Sequence, residues 1–435
     1  MRRFVTAFMV FFLPGCLSTA NAQGLKTYSL EEVLEIALAR NPALKASGLD
    51  VEISEEDIRA KKAVRVPRVN LESGITRYRY PYPVTPIAGS PLEGSAFPEF
   101  DETMYDIGVT LTMPVYRGGR ITRGVRMAEL EKAATEEAFT TDRHNLVFNV
   151  SSLYYKILQL ERLLEAGEKS VAQVEEHRRV VSEHYGAGST PHVDLLKTDV
   201  ELARSRERVL VLKNNIENAY GALKALMGLD EEEFRLKGDA KNNPVHPGLD
   251  EGVRTALFRR SEVKEASKRR EAAREGVEYV EGKRLPGIDL SARYADRAGA
   301  DFDFREDWSV GIRLSVPIFD GGLIRSEARS AGLEVRKMEV ELRALEIEIR
   351  REVKEAYLNL EKAEERISVT EKVIEAAEEN LEVESLKYST GAGTTADVLD
   401  AQTALVRAVT DREQALYDRE LALLALRRAT GEQIN

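Results

Sequence analysis

The chain has 435 residues, a formal net charge of −11 at pH 7, 31% charged side chains and 7% aromatic ones. The acidic balance, with no basic stripe interleaved with aromatics, argues against a nucleic-acid partner. No apolar run after residue 20 is long enough to cross a bilayer as a helix, which excludes a helical membrane protein.

At the N-terminus, Arg2 and Arg3 precede an apolar stretch from Phe4 to Leu13 and an Ala20-Asn21-Ala22 site. This is the pattern of an export signal over residues 1–22. Its removal would take the formal charge from −11 to −13, because Arg2 and Arg3 leave with it. The only cysteine, Cys16, lies in this segment, within Leu-Pro-Gly-Cys, so lipidation at Cys16 is the alternative to cleavage after Ala22. Without Cys16 the mature chain has no thiol chemistry.

Residues 30–66 and 249–284 carry apolar side chains at three-to-four spacing and are expected to be helical. Strand-like segments follow from Val69 and from Ile288. A second strand follows each of these. Tyr105, Ile107, Val109, Leu111 and Met113 alternate with polar or small residues, and so do Trp308, Val310, Ile312, Leu314 and Val316. Strict alternation gives one apolar and one polar face. Four strands are too few to bury such faces alone. They are read as a share of a β-barrel whose apolar face meets lipid, against the plainer reading of a small sheet packed on helices. The Pro-, Gly- and Ser-rich stretch 80–100 is an exposed loop.

After each Pro-x-aromatic-x-Gly-Gly turn (Pro114, Gly118, Gly119; Pro317, Gly321, Gly322) a very long helix is expected. Each would span on the order of 95 Å. In the second, Leu345, Ile349, Val353, Ala356, Leu360, Ala363 and Ile367 form a coiled-coil seam. Gly-rich turns containing Gly186 and Gly188, and Gly391 and Gly393, then lead into return helices at 192–227 and 396–430.

These correspondences are not local coincidences. A constant offset of 203 carries Pro114 to Pro317, Tyr154 to Tyr357, Tyr185 to Tyr388, Gly188 to Gly391 and Asp194 to Asp397. One structural unit is duplicated. The domain plan is a signal at 1–22, a first repeat at 23–237 (β-hairpin 69–116, helical hairpin 119–228), a linker at 238–248, and a second repeat at 249–435 (β-hairpin 287–319, helical hairpin 322–431).

The duplicated turn, the Tyr-x-x-Gly hairpin tips and the run Asp397-Val-Leu-Asp400 resemble the TolC family of outer-membrane efflux proteins, over essentially all of residues 24–431. The resemblance implies a mainly α fold with a membrane β-barrel portion. In a homotrimer, four strands per chain would form a twelve-stranded barrel, continued by a trimeric α-barrel of long hairpins. It implies an outer-membrane exit duct reaching into the periplasm, for efflux or type I secretion. A periplasmic adaptor (membrane fusion protein) and an inner-membrane transporter of RND, ABC or MFS type would feed it, and its outer surface would contact outer-membrane lipid. No catalytic site, cofactor or metal is expected. The histidines, His144, His177, His184, His192 and His246, lack ligand spacing.

Asp397 and Asp400 share one helical face. Alone, they read as complements of a helix dipole. The resemblance implies instead that they ring the closed periplasmic aperture, where crowded carboxylates raise each other's pKa and attract cations. It further implies that Asp194 and Tyr388 hold the hairpins together in the closed state, by a charge-assisted bond worth about 1.5–3 kcal/mol. The arginine that completes that network is replaced here by Gly393. Asp194 is followed by Lys197 where its twin has Asp400, so the first hairpin is not expected to add a second acidic ring. The tip glycines Gly186, Gly188, Gly391 and Gly393 are read as permitting tight turns, on the surface that would dock the adaptor. A periplasmic adaptor, or another exported coiled-coil protein, is the competing reading. An adaptor would carry one hairpin and no duplication.

Overall fold

A computed structural model of the chain describes residues 26–79, 101–229, 232–238 and 248–432. The expected export signal with Cys16, the loop 80–100 and most of the expected linker 238–248 lie outside the described residues.

Four long helices dominate. Helix α3 (Arg120–Gly186) has 67 residues and returns through α4 (His192–Met227) of 36 residues. Helix α7 (Leu323–Ser389) also has 67, and α8 (Thr395–Thr430) also has 36. At about 1.5 Å per residue the longer member of each hairpin extends about 100 Å. Charged helices of this length hold together because each buries only a narrow stripe. In α7, Ile349, Val353, Ala356, Leu360 and Ala363 pack on Ala422, Leu423, Leu426 and Ala429 of α8. In the first half, Val150, Tyr154 and Ile157 of α3 pack on Leu223 and Met227 of α4. They also meet Val33 and Ala37 of a short helix, α1 (Leu30–Arg40).

The helices expected over 30–66 and 249–284 are each broken once. Helix α2 (Pro42–Ala63) begins where Pro42 occupies the first helical turn and Asn41 caps it, accepting from the Leu44 amide at 2.9 Å. In the second half, α5 (Leu249–Arg259) and α6 (Ser261–Glu281) part at Arg260, whose backbone is extended. Arg260 is buried, and its guanidinium donates to Glu262 and Glu352 at 2.7 and 2.5 Å. A short 3-10 turn, Gly282–Arg284, closes α6.

One element has no counterpart in the sequence reading. A three-residue strand β1 (Lys26–Tyr28) runs parallel to β4 (Phe234–Leu236). The rings of Tyr28 and Phe234 meet at a tilt, with centroids 5.4 Å apart, and the Tyr154 hydroxyl donates to the Lys237 carbonyl, which pins this small sheet to the middle of α3.

The main sheet contains β2 (Arg68–Arg77), β3 (Thr103–Arg117), β5 (Gly287–Ala298) and β6 (Arg305–Ser315). Its order is β2-β3-β5-β6 and every pair is antiparallel. One strand pair comes from each half of the chain, and β2 and β6 are left as open edges within a single chain.

Candidate functional site

The sheet presents two chemically opposite faces. On one, cross-strand rows read Tyr116–Ile288–Leu314, Met113–Leu290–Ile312, Val69–Leu111–Ala292–Val310 and Leu71–Val109–Tyr294–Trp308. These side chains are open in the single chain: Leu71 is 73% exposed, Ile312 75% and Trp308 70%. From Trp308 to Leu314 the strand runs about 20 Å, and exposed Ile318 and Phe319 extend the apolar surface beyond it. The next row outward is Ser73–Ile107–Asp296–Glu306, where polarity returns on β5 and β6, while on β2 and β3 Ile107 and, one row further, Ile75 and Tyr105 continue the apolar face. An apolar belt with aromatic residues at its end is the pattern found on the lipid-facing surface of membrane barrels.

The opposite face carries Arg68–Thr112–Ser291–Gly311, Asn70–Thr110–Arg293–Ser309 and Glu72–Gly108–Ala295–Asp307. It is polar and locally tight. A Cβ on Gly108 would lie 2.6 Å from the Ala295 Cβ.

The turns from sheet to long helix are built alike. Pro114 lies at a register shift in the β3–β5 ladder, where a residue without an amide proton is tolerated. Pro317 follows the end of β6. Gly118, Gly119, Gly321 and Gly322 all have positive φ, from 60 to 89°. Gly118 is constrained twice, since an added Cβ would also collide with the Gly282 carbonyl. In the second turn Asp320, not singled out from sequence, accepts from the Gly322 and Ile324 amides at 2.9 and 2.8 Å and so caps α7.

At the far ends lie the hairpin tips. Gly188 and Gly391 occupy the left-handed region at φ 74 and 78°. The expected turn role does not extend to all four glycines. Gly186 is the last residue of α3, with open space where a side chain would be. Gly393 is held by close approach: a Cβ there would meet Lys387 Cβ and the Tyr388 amide nitrogen at 3.0 Å.

Asp397 and Asp400 are both exposed on the first turns of α8. Asp397 also completes a capping box, accepting from the Thr394 hydroxyl at 2.6 Å and the Thr394 amide at 3.1 Å. Those Thr394 bonds, the hydroxyl first, hold its pKa below the usual 3.8. Within one chain the local dipole role is therefore real at Asp397, whereas Asp400 has no hydrogen bond or ion pair among the described residues. The first tip lacks this cap, because Pro191 stands where the second has Thr394.

The expected bond between Asp194 and Tyr388 is not formed within the chain. The Asp194 carboxylate accepts from Lys197 Nζ at 3.2 Å instead. Tyr388 turns inward onto Val181 and Val398, with its ring 5.1 Å from that of His177. Its hydroxyl is buried without a partner among the described residues, as is Nε2 of His177. Burial keeps the His177 pKa below its ordinary 6.5. Sequence spacing brings Tyr388 to the tip, but which neighbour it faces depends on how α3 and α7 pack.

Midway along the hairpins, Gln159 of α3 donates to Gln414 of α8 at 2.7 Å, and Gln414 donates on to Asp418 at 2.7 Å. Asp418 also accepts from Arg366 of α7 at 2.6 Å. This polar tie joins the two hairpins and carries no motif a sequence scan detects. Among the described residues no group of His, Cys, Asp and Glu is placed to hold a metal ion.

Comparison with known proteins places this geometry among others like it. The model of the family described as outer membrane efflux protein matches residues 33–229 and 252–432. The outer membrane efflux protein BepC of Brucella suis biovar 1 (strain 1330) is 23% identical over 93% of this chain and 86% of its own length. The outer membrane protein TolC of Escherichia coli (strain K12) is 20% identical over 99% of this chain and 87% of its own. A membrane protein from Pseudomonas aeruginosa shares the fold with a TM-score of 0.82, at 21% identity, covering 94% of this chain and 91% of the other. The outer membrane protein VceC from Vibrio cholerae does so with a TM-score of 0.77, at 19% identity, covering 93% and 97%.

Proposed function

The chain belongs to the outer membrane efflux protein family, and from that premise we propose that three copies form one passive exit duct. It is an outer-membrane protein of the efflux type. Its four strands contribute to a β-barrel, and its helical hairpins extend the conduit into the periplasm. Edges β2 and β6 run antiparallel to each other, so β6 of one copy can pair with β2 of the next and leave no edge open. The observation that carries the reading is the apolar belt ending at Tyr294 and Trp308 on one face of the sheet, opposite a polar face that would line the lumen.

The hairpin tips form the periplasmic entrance. In our reading Asp400, with Asp397 beside it, supplies the carboxylates that narrow and select there. Asp194 and Tyr388 act in keeping the entrance closed through contacts between copies. The turns at Gly188 and Gly391 dock the periplasmic adaptor, and an inner-membrane transporter supplies cargo and energy.

Single cysteines placed at Ile312 and at Ser309 in a Cys16→Ser background test the barrel. A fluorophore at 312 should be quenched by brominated lipid tails, and one at 309 by aqueous iodide only. Aqueous quenching at both positions would overturn the barrel.

A further inference from the structure

Where the polar face of the sheet meets the tops of α2, α3 and α6 lies a cavity of about 1180 Å³. In the duct reading, on which the role of this cavity rests, it is the lumen wall at the junction of barrel and helices. Its lining is chemically mixed. Val64, Ile121 and Met127 supply apolar surface to it, and Lys61, Arg68 and Arg313 supply charge. These three cations form no ion pair among the described residues.

The charge balance is local and opposite to that of the chain. Five cationic and three carboxylate side chains line the cavity, in a protein whose net charge is −11. Two of the carboxylates are engaged: Asp289 by Arg117 at 2.6 Å and Glu131 by Arg269 at 3.7 Å. Arg120 spends its Nε on the Arg117 carbonyl at 2.9 Å, leaving its terminal nitrogens unassigned. Asp57 is the one remaining carboxylate. Arg68 and Arg313 come from the two edge strands, in adjacent cross-strand rows with Thr112, Ser291 and Asp289, and both line this one cavity from opposite edges of the sheet.

We infer that this cavity is a binding site for amphipathic organic anions, whose acidic head is taken by Arg68 and Arg313 and whose apolar body lies against Val64, Ile121 and Met127. Guanidinium forks match the planar oxygens of a carboxylate, sulfonate or phosphate. The duct would then be polarised along its length, with a cation-attracting entrance at the tips and an anion-holding collar below the barrel.

The test uses the purified full chain in dodecyl maltoside and naphthalene-1-sulfonate as the probe, with uncharged naphthalene-1-sulfonamide and cationic 1-naphthylmethylammonium as controls. Equilibrium dialysis should show that the sulfonate binds and the ammonium does not. The Arg68→Gln/Arg313→Gln double variant should raise the sulfonate Kd on the order of tenfold, and the Arg→Lys pair, which keeps the charge but loses the fork, should restore only part of the loss. No sulfonate binding by the parent protein, or equal binding by the glutamine variant, would overturn the site. The same preparations in planar bilayers separate the two claims. Binding without conductance would refute the duct and leave the site standing; conductance without binding would do the reverse.

Discussion

Trp308 lies directly across the ladder from Tyr294, and one register further out Glu306 lies directly across from Asp296. On β5 and β6 two aromatic rings thus end the apolar run, and two facing carboxylates follow it. Like charges opposite one another in a sheet are unfavourable unless water screens them. In the proposed barrel this step is the height at which β5 and β6 should leave lipid. Val310→Arg, in the middle of the belt, should lower barrel stability by about 2–4 kcal/mol per chain, and Glu306→Arg by no more than about 1 kcal/mol. Heat resistance of the assembled protein on gels reads the difference; equal loss in both variants would place the membrane elsewhere.

The paired glycines between sheet and helix should not be equally replaceable. Gly119 has φ 76° with nothing within 4 Å of an added Cβ, so Gly119→Ala carries only left-handed strain, about 1–2 kcal/mol. Gly118→Ala adds a backbone collision with Gly282 and should exceed about 3 kcal/mol. Thermal unfolding of the two variants checks the ranking.

Arg260 gives an asymmetric prediction. The guanidinium side chain is 8% exposed, whereas those of Glu262 and Glu352 are 29 and 39% exposed. Removing both carboxylates strands a buried charge and should destabilise by about 3–5 kcal/mol. Arg260→Met leaves carboxylates that water can reach, and should cost clearly less. Denaturant unfolding of Glu262→Gln/Glu352→Gln beside Arg260→Met decides it, and a reversed order would refute the account.

His177 should make the tip sensitive to acid. Its folded pKa lies below 6.5, so the separated hairpins take up the proton first. Its contribution is full above about pH 6.5, falls as the pH drops from there towards the folded pKa, and levels off below that value. After correction for intrinsic rates, amide exchange near Val181 and Val398 should quicken between about pH 7.5 and pH 5.5. His177→Leu should abolish that dependence; an unchanged slope would assign it to other groups.

The legible part of the chain is whatever repeats or alternates. Ile107 to Met113 and Trp308 to Val316 announce a two-faced sheet because strand geometry has period two, and the offset of 203 lets each half check the other. The β1–β4 pair is illegible because three residues carry no period and the partners lie about two hundred positions apart. The break at Arg260 has no proline to mark it, unlike the break at Pro42. At the tip, Thr394-x-x-Asp397 is a readable capping box, masked by the aperture role that the same aspartate suggests. The turning of Tyr388 towards His177 and away from Asp194 is decided by packing between helices remote in sequence.

In the proposed conduit, carboxylates at the α8 tip select what enters. Asp400 is the discriminating position, since it takes no part in the cap that Asp397 completes. The direct measurement is the reversal potential and conductance of the purified protein in planar bilayers under a salt gradient, beside Asp400→Ala. The account predicts cation-selective currents in the parent, and a larger, less selective conductance with weaker divalent block in the variant. Currents with the same selectivity and block in both proteins would contradict it.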